Sequence, residues 1–221
     1  RLLEEKTGQQ IIHLEMGVPG LKPSEIALKA EQEALANGCA TIYPPNGGIP
    51  RIKNAASQFV KAFIGVDIDP LCCIPTTGSM QGTFASFMAI HHACAGTKKD
   101  TVLFIQPGFH VQTTQCDVIG LNHIGLDIHD FRGDALIQKL EEILSVGNIN
   151  SIVYSNPNNP SWVCFTEEEL KGIAGLADKY DVIVLEDLAY FAMDFRRDLS
   201  HPYEAPYQAT VAKYTDNYVL D

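Results

Sequence analysis

Four short segments bring together groups suited to holding a small, flat, anionic ligand. Thr76-Thr77-Gly78-Ser79-Met80-Gln81-Gly82 combines glycines and hydroxyls where an apolar helix begins. The first N–H groups of a helix have no intrahelical acceptor, and glycine allows close approach, so the pattern suits a phosphate. It equally suits an ordinary hydroxyl-capped turn. It is neither a Walker loop nor G-x-G-x-x-G, which argues against ATP and NAD. Gln106-Pro107-Gly108-Phe109-His110 offers an aromatic ring, either to stack on a planar ligand or to fill a core below a Pro-Gly turn. Asn156-Pro157-Asn158-Asn159-Pro160 is a stiff loop bearing side-chain amides. Glu186-Asp187-Leu188-Ala189-Tyr190 ends a strongly apolar run. Carboxylates there need a partner: a cationic ring nitrogen, solvent, or a salt bridge to Arg196 or Arg197.

These segments need a frame. Short apolar runs predict strands at Cys72-Pro75, Thr101-Ile105, Cys116-Gly120, Ser151-Ser155, Val182-Glu186 and Tyr218-Leu220. Helices are expected between them, near Gly78-Cys94, Gly133-Ser145 and Thr166-Lys179. Thr166-Glu167-Glu168-Glu169 reads as a capping box, and Gly147-Asn148 as the stop of the preceding helix. Upstream, Lys22-Pro23-Ser24-Glu25 starts a helix that Asn37-Gly38 ends, with Ile26, Ala30, Ala34 and Leu35 at helical spacing. Tyr43 to Gly48 is a turn-rich loop, and Ile52 to Ile64 a second amphipathic helix. The alternation predicts an α/β fold: three αβα layers around a mostly parallel sheet. In such a sheet ligands bind beyond the carboxyl ends of the strands, where the four segments fall.

Composition bounds the function. The chain has 221 residues, with 16 Lys and Arg against 27 Asp and Glu, a net charge of −11. That balance disfavours a nucleic-acid surface and an anionic membrane face. Leu71 to Thr97 contains no Asp, Glu, Lys or Arg, but prolines, glycines and hydroxyls break it. It reads as a loop and a buried helix rather than a span. The six cysteines are scattered and fit buried free thiols in a reducing compartment, hence a cytoplasmic protein. The seven histidines show no metal-ligand spacing, so no metal is expected.

Taken in order, the four segments resemble the class I/II aminotransferases, fold-type I enzymes of the aspartate aminotransferase superfamily that use pyridoxal 5′-phosphate (PLP). Asn-Pro-x-Asn-Pro followed by Asp187-x-x-Tyr190 carries most of the resemblance. Leu14-Glu15-Met16-Gly17-Val18-Pro19 is similar to the family's Leu-x-x-Gly-x-Pro entry, and Tyr43 to Gly48 with Ile52-Lys53 to its Tyr-to-Leu-Arg element. The resemblance implies that Gly78, Ser79 and Met80 hold the phosphate and that Phe109 stacks on the pyridine ring. It implies that Asn159 and Tyr190 hydrogen-bond the 3′ oxygen and that Asp187 pairs with the ring nitrogen, with Asp187 and Tyr190 serving catalysis. Gly17 and Asn159 would lie near the substrate. Tyr43 would reach the phosphate of a neighbouring subunit, which implies a homodimer with shared active sites.

The implied activity moves an amino group between an amino acid and a 2-oxo acid. The same motifs also fit a PLP-dependent C–S lyase, a PLP-binding effector domain of a transcription regulator, or a paralogue without the lysine. The family's Schiff-base lysine follows the strand after Asp-x-x-Tyr, and this chain stops at Asp221 in that strand's wake. Lys213 precedes the strand and is rejected for the role. The expectation is the N-terminal portion of a longer enzyme: residues 1–45 an arm and part of a small domain, residues 46–221 a PLP-binding large domain. Three departures stand out: Ser161-Trp162 after Asn159-Pro160, Leu188 after Asp187, and Gln112 where the family often has an aromatic.

Overall fold

A computed structural model describes residues 2–12, 17, 21–196, 198 and 201–221. Two compact units divide the chain at Pro45 and Asn46. In the first, α1 spans Leu2–Thr7 and α2 spans Glu25–Ala36. The α2 helix ends where expected, with Gly38 at φ 82° beyond the Asn37 cap. None of its residues is buried, and Ile26 and Leu35 are exposed despite their helical spacing.

The second unit is built on five strands: β1 (Thr101–Gln106), β2 (Asn122–Asp127), β3 (Ile149–Ser155), β4 (Ile183–Asp187) and β5 (Tyr218–Leu220). They run in the order β2-β1-β3-β4-β5, and every pairing is parallel. Helices α3 (Pro50–Ile64), α4 (Ser79–Ala93), α5 (His110–Ile119), α6 (Asp134–Leu144) and α7 (Glu167–Tyr180) complete the unit.

Two clusters cover the two sheet faces. Leu103, Ile105, Ile152 and Val184 pack with Leu136, Leu140 and Leu144 of α6 and Leu170, Ile173 and Ala177 of α7. Phe87 of α4 and Cys116 of α5 pack against Val102, Phe104, Val153 and Leu185. Leu136, Leu140 and Leu144 recur at i, i+4 and i+8, so one stripe of α6 is removed from water. Each such leucine contributes about 1.5–3 kcal/mol. This is the expected α/β layering, with strands β1, β3 and β4 apolar on both faces.

Two predicted strands are corrected. Cys72-Pro75 is not in the sheet. Pro70–Cys72 forms a 3-10 turn in which the Asp69 side chain accepts from the Leu71 N–H, and the Cys73 N–H bonds to the Pro70 carbonyl. Those amides are satisfied locally, and Pro75 has none to give to a ladder. Cys116-Gly120 is the last turn and cap of α5, where Gly120 takes φ 79° and closes onto Asp117 and Cys116. The true strand, β2, begins two residues after Gly120, on the sheet edge. Of its residues only Leu126 is buried, so Asn122, His123 and Asp127 hide it from any apolar pattern. The expectation of buried thiols holds only for Cys116 and Cys164; Cys39 and Cys72 are exposed, and all six are free. Among the described residues no helix is long and apolar enough to cross a membrane, and no cluster of side chains suits a metal ion.

A candidate cofactor site at the carboxyl ends of the strands

The chain leaves β1 in one direction to form β2 and then crosses back to form β3 on the other side. That reversal opens a crevice between the carboxyl ends of β1 and β3, the place where open α/β sheets bind ligands. A pocket lies there, lined by Gln106, Phe109 and Gln112 on one side and by Val153, Tyr154 and Ser155 on the other. A larger groove of about 680 Å³ borders Asp127, His129, Arg132 and Ser161 near the edge strand. None of the predicted cofactor residues lines that groove.

Helix α4 sets its first turn against α5 and against Asp221 at the end of β5. Gly78 caps it at φ 90° and ψ 157°, a conformation only glycine adopts without strain. The N–H groups of Ser79 and Met80 open the helix and have no intrahelical acceptor. Gln81 Oε1 accepts from the Thr77 N–H at 2.6 Å and folds the preceding loop back over the turn. A Cβ on Gly82 would collide with the Asp221 carboxylate, so glycine is what lets α4 pack against the end of β5. Gln115 of α5 donates to the Met80 carbonyl at 2.8 Å and accepts from Thr83 at 2.9 Å, fixing α4 to α5.

Phe109 caps α5 as a half-buried ring, in edge contact with His110. One helical turn on, Gln112 Nε2 donates to Asp187 Oδ2 at 2.9 Å. The other Asp187 oxygen accepts from the Ala189 N–H at 2.9 Å. Asp187 is 5% exposed. Burial raises its pKa, against the opposing pull of the Ala189 N–H and Gln112. No cation pairs with it among the described residues. Arg196, one of the salt-bridge partners considered from sequence, is bound to Asp194 at 2.8 Å instead; Arg197 lies outside the described residues.

The neighbouring Glu186 faces a different way. Its buried carboxylate accepts from Asn156 Nδ2 at 3.0 Å and from the Val211 N–H at 2.9 Å. Burial pushes its pKa up to about 7 despite those donors. The Asn156 N–H in turn bonds the Asp187 carbonyl at 3.0 Å, so the Asn-Pro loop is tied to β4. Within that loop the Asn159 N–H bonds Ser155 Oγ at 3.0 Å, and the Asn159 side chain is half-buried. Tyr190, also half-buried, meets Trp162 with ring centroids 5.5 Å apart.

Gly78, Ser79, Met80, Phe109, Asn159, Asp187 and Tyr190 therefore belong to one connected set of elements within the second unit. Tyr43 and Gly17 lie in the first unit; Tyr43 is fully exposed there. The other residues of the segment around Gly17, Leu14 to Met16 with Val18 and Pro19, lie outside the described residues. Lys213 sits in a 3-10 turn before β5, over the Tyr207 ring at 4.9 Å. Gln112 was visible in the sequence only as a departure from an aromatic. Its bond to Asp187 spans 75 residues, and no local signal announces it.

A parallel αβα sheet with an anion-ready helix start and, at the end of β4, a buried carboxylate that no cation pairs with among the described residues defines an α/β unit suited to holding an anionic, cationic-ring ligand. A family model described as aminotransferase class I and II matches residues 9–220, and the chain belongs to that family, whose members depend on PLP. It is 27% identical over 187 residues to an aspartate aminotransferase of Pyrococcus horikoshii, covering 82% of this chain and 45% of that protein. It is 28% identical over 198 residues to the glutamate-pyruvate aminotransferase of Escherichia coli, with 86% and 45% covered. A crystal structure of a Mycobacterium tuberculosis aminotransferase superposes with a TM-score of 0.81 at 23% identity, over 99% of this chain and 53% of the other. The chain spans about half the length of the curated relatives it matches.

The residues present fit PLP on structural grounds. Asp187 is buried with neutral donors only, so a protonated ring nitrogen would be its missing counterion. The α4 amides offer the anion site that a phosphate needs, and the space beside the Gly78 Cα is open.

Proposed function

We propose that the intact protein is a PLP-dependent aminotransferase acting on amino acids and 2-oxo acids, and that this chain contributes its noncovalent cofactor site. The observation that carries the reading is Asp187: a buried carboxylate at the end of β4, held by Gln112 and the Ala189 N–H, with no cation paired to it among the described residues. When bound, PLP supplies an electron sink for the bond broken at the substrate's Cα. In this reading Asp187 keeps the ring nitrogen protonated. Phe109 stacks on the ring, and the amides of Gly78, Ser79 and Met80 bind the phosphate. Asn159 and Tyr190 donate hydrogen bonds to the 3′ oxygen, where they hold negative charge.

Further parts of the reading concern the assembly. Residues 1–45 form an arm and part of a small domain, and residues 46–221 the large domain. Tyr43 reaches the phosphate in a second copy, and Gly17 borders the substrate, so the protein works as a homodimer. The exposed Tyr43 ring and the unburied α2 face support an occupant outside this unit. The free thiols support a cytoplasmic location. The relatives that match over more than four-fifths of the chain are named as transaminases, which favours amino transfer over lyase chemistry.

The test is Asp187→Ala in the full-length protein. It should abolish transamination and weaken PLP binding while circular dichroism stays native. Unchanged turnover would overturn the site.

A further inference from the structure

Trp162 is the chain's one tryptophan, and it sits in the left-handed region at φ 59°. A bulky residue there is an outlier and costs about 1–2 kcal/mol relative to glycine. The turn around it does not require that side chain. The Trp162 N–H bonds the Asn158 carbonyl at 2.8 Å, and the Asn158 N–H bonds the Val163 carbonyl at 2.8 Å. Asn158 Oδ1 accepts from Ser161 Oγ at 2.6 Å. Every one of these contacts uses backbone or other side chains, so glycine would close the same turn without strain.

Nor is the indole a core anchor. It is 40% exposed and belongs to neither buried cluster. Among the described residues its ring contacts are with two aromatics. The Tyr190 ring stands edge-to-face at 5.5 Å and 65°, and Phe195 stacks at 6.2 Å and 19°. Tyr190 follows the end of β4 three residues after Asp187, on a turn closed by the Phe191 N–H on the Leu188 carbonyl at 2.8 Å and the Met193 N–H on the Tyr190 carbonyl at 3.1 Å; these bonds hold the backbone and leave the direction of the ring to its neighbours.

We propose that Trp162 is a positioning residue, held in a strained backbone conformation so that its indole fixes the Tyr190 ring and aims the phenol at the cofactor. This rests on the reading of Tyr190 as a donor to the 3′ oxygen. Edge-to-face aromatic pairs contribute about 0.5–1.5 kcal/mol, which corresponds to about a twofold to twelvefold change in binding.

The experiment is a double-mutant cycle on PLP affinity in the full-length apoprotein, by equilibrium dialysis, with melting temperatures of the same samples. Trp162→Gly should weaken PLP binding about twofold to twelvefold while the apoprotein melts at the same or a higher temperature. Trp162→Phe should recover most of the affinity, because a ring again meets Tyr190. Tyr190→Phe removes only the hydroxyl and leaves the ring contact in place. In that background Trp162→Gly should cost less than about twofold. An equal loss in both backgrounds, or no loss in either, overturns the role of Trp162 and leaves the cofactor site standing. If Tyr190→Phe alone leaves affinity unchanged, the assignment of Tyr190 falls, and the role of Trp162 falls with it.

Discussion

Gln112 and Asp187 are joined by a 2.9 Å hydrogen bond between two buried side chains, 75 residues apart in the chain. The bond ties α5 to the end of β4. It supplies one of the two donors that oppose the upward pull of burial on the Asp187 pKa; the other is the Ala189 N–H.

Gln112→Leu leaves Asp187 Oδ2 without a donor. A hydrogen bond to a charged group contributes about 1.5–3 kcal/mol, so PLP affinity should drop at least about tenfold. The sign of the pH effect follows. Burial already raises the Asp187 pKa and Gln112 lowers it, so losing Gln112 raises it further. Binding depends on the anion and is lost as pH falls through that pKa. The acid limb of a dialysis-measured affinity profile should therefore move to higher pH.

Gly78→Ala tests the phosphate cradle. At φ 90° and ψ 157° alanine is strained by about 1–3 kcal/mol, and relief comes only by moving the first amides of α4. Affinity for PLP should drop while affinity for pyridoxal, which lacks the phosphate, changes little. The ratio of the two dissociation constants is the measurement.

Glu169 does more than cap α7. Its buried carboxylate takes two hydrogen bonds from Arg132 at 2.7 Å and one each from the N–H groups of Gly133 and Thr166. Burial pushes its pKa up, but these donors outweigh it and hold the group at about 2. A depressed carboxylate pKa stabilises the fold above the ordinary value of 4.5, and the contribution disappears as pH falls toward 2. Glu169→Ala should cost about 3 kcal/mol at neutral pH in urea unfolding and should flatten the loss of stability across that acid window.

Glu186 has the opposite sign. Its pKa is raised by burial to about 7, so the folded protein holds that proton more tightly than the unfolded chain. Its contribution is greatest below about pH 4.5, declines as pH rises to about 7, and then levels off. The full swing is at most about 3 kcal/mol. Glu186→Gln removes the titration, so melting temperatures measured from pH 4.5 to 7.5 should vary less than in the wild type.

Much of the fold is legible locally because local rules act locally. The Thr166 and Glu169 capping box forms as its spacing predicts, since both bonds close within one turn. Strands β1, β3 and β4 show as apolar runs because both their faces are covered. The four chemistry-bearing segments could be found because backbone amides, prolines and carboxylates at strand ends leave signatures a few residues long. The missed strand β2 has one exposed side, and its polar residues look like loop.

By itself the sequence determined which residues can bind a phosphate, stack on a ring or pair with a ring nitrogen, because those capacities belong to residue types and short spacings. Only the tertiary structure decided where they meet. The strand order β2-β1-β3-β4-β5 creates the crevice, and it depends on pairings between segments far apart in the chain. The partners of Asp187, Glu186 and Trp162 were likewise set by packing. Arg196 is bound to Asp194, Gln112 reaches Asp187, and the indole lies against Tyr190. Hydrogen bonds and ring contacts act over a few ångströms of space, and sequence distance does not measure that space.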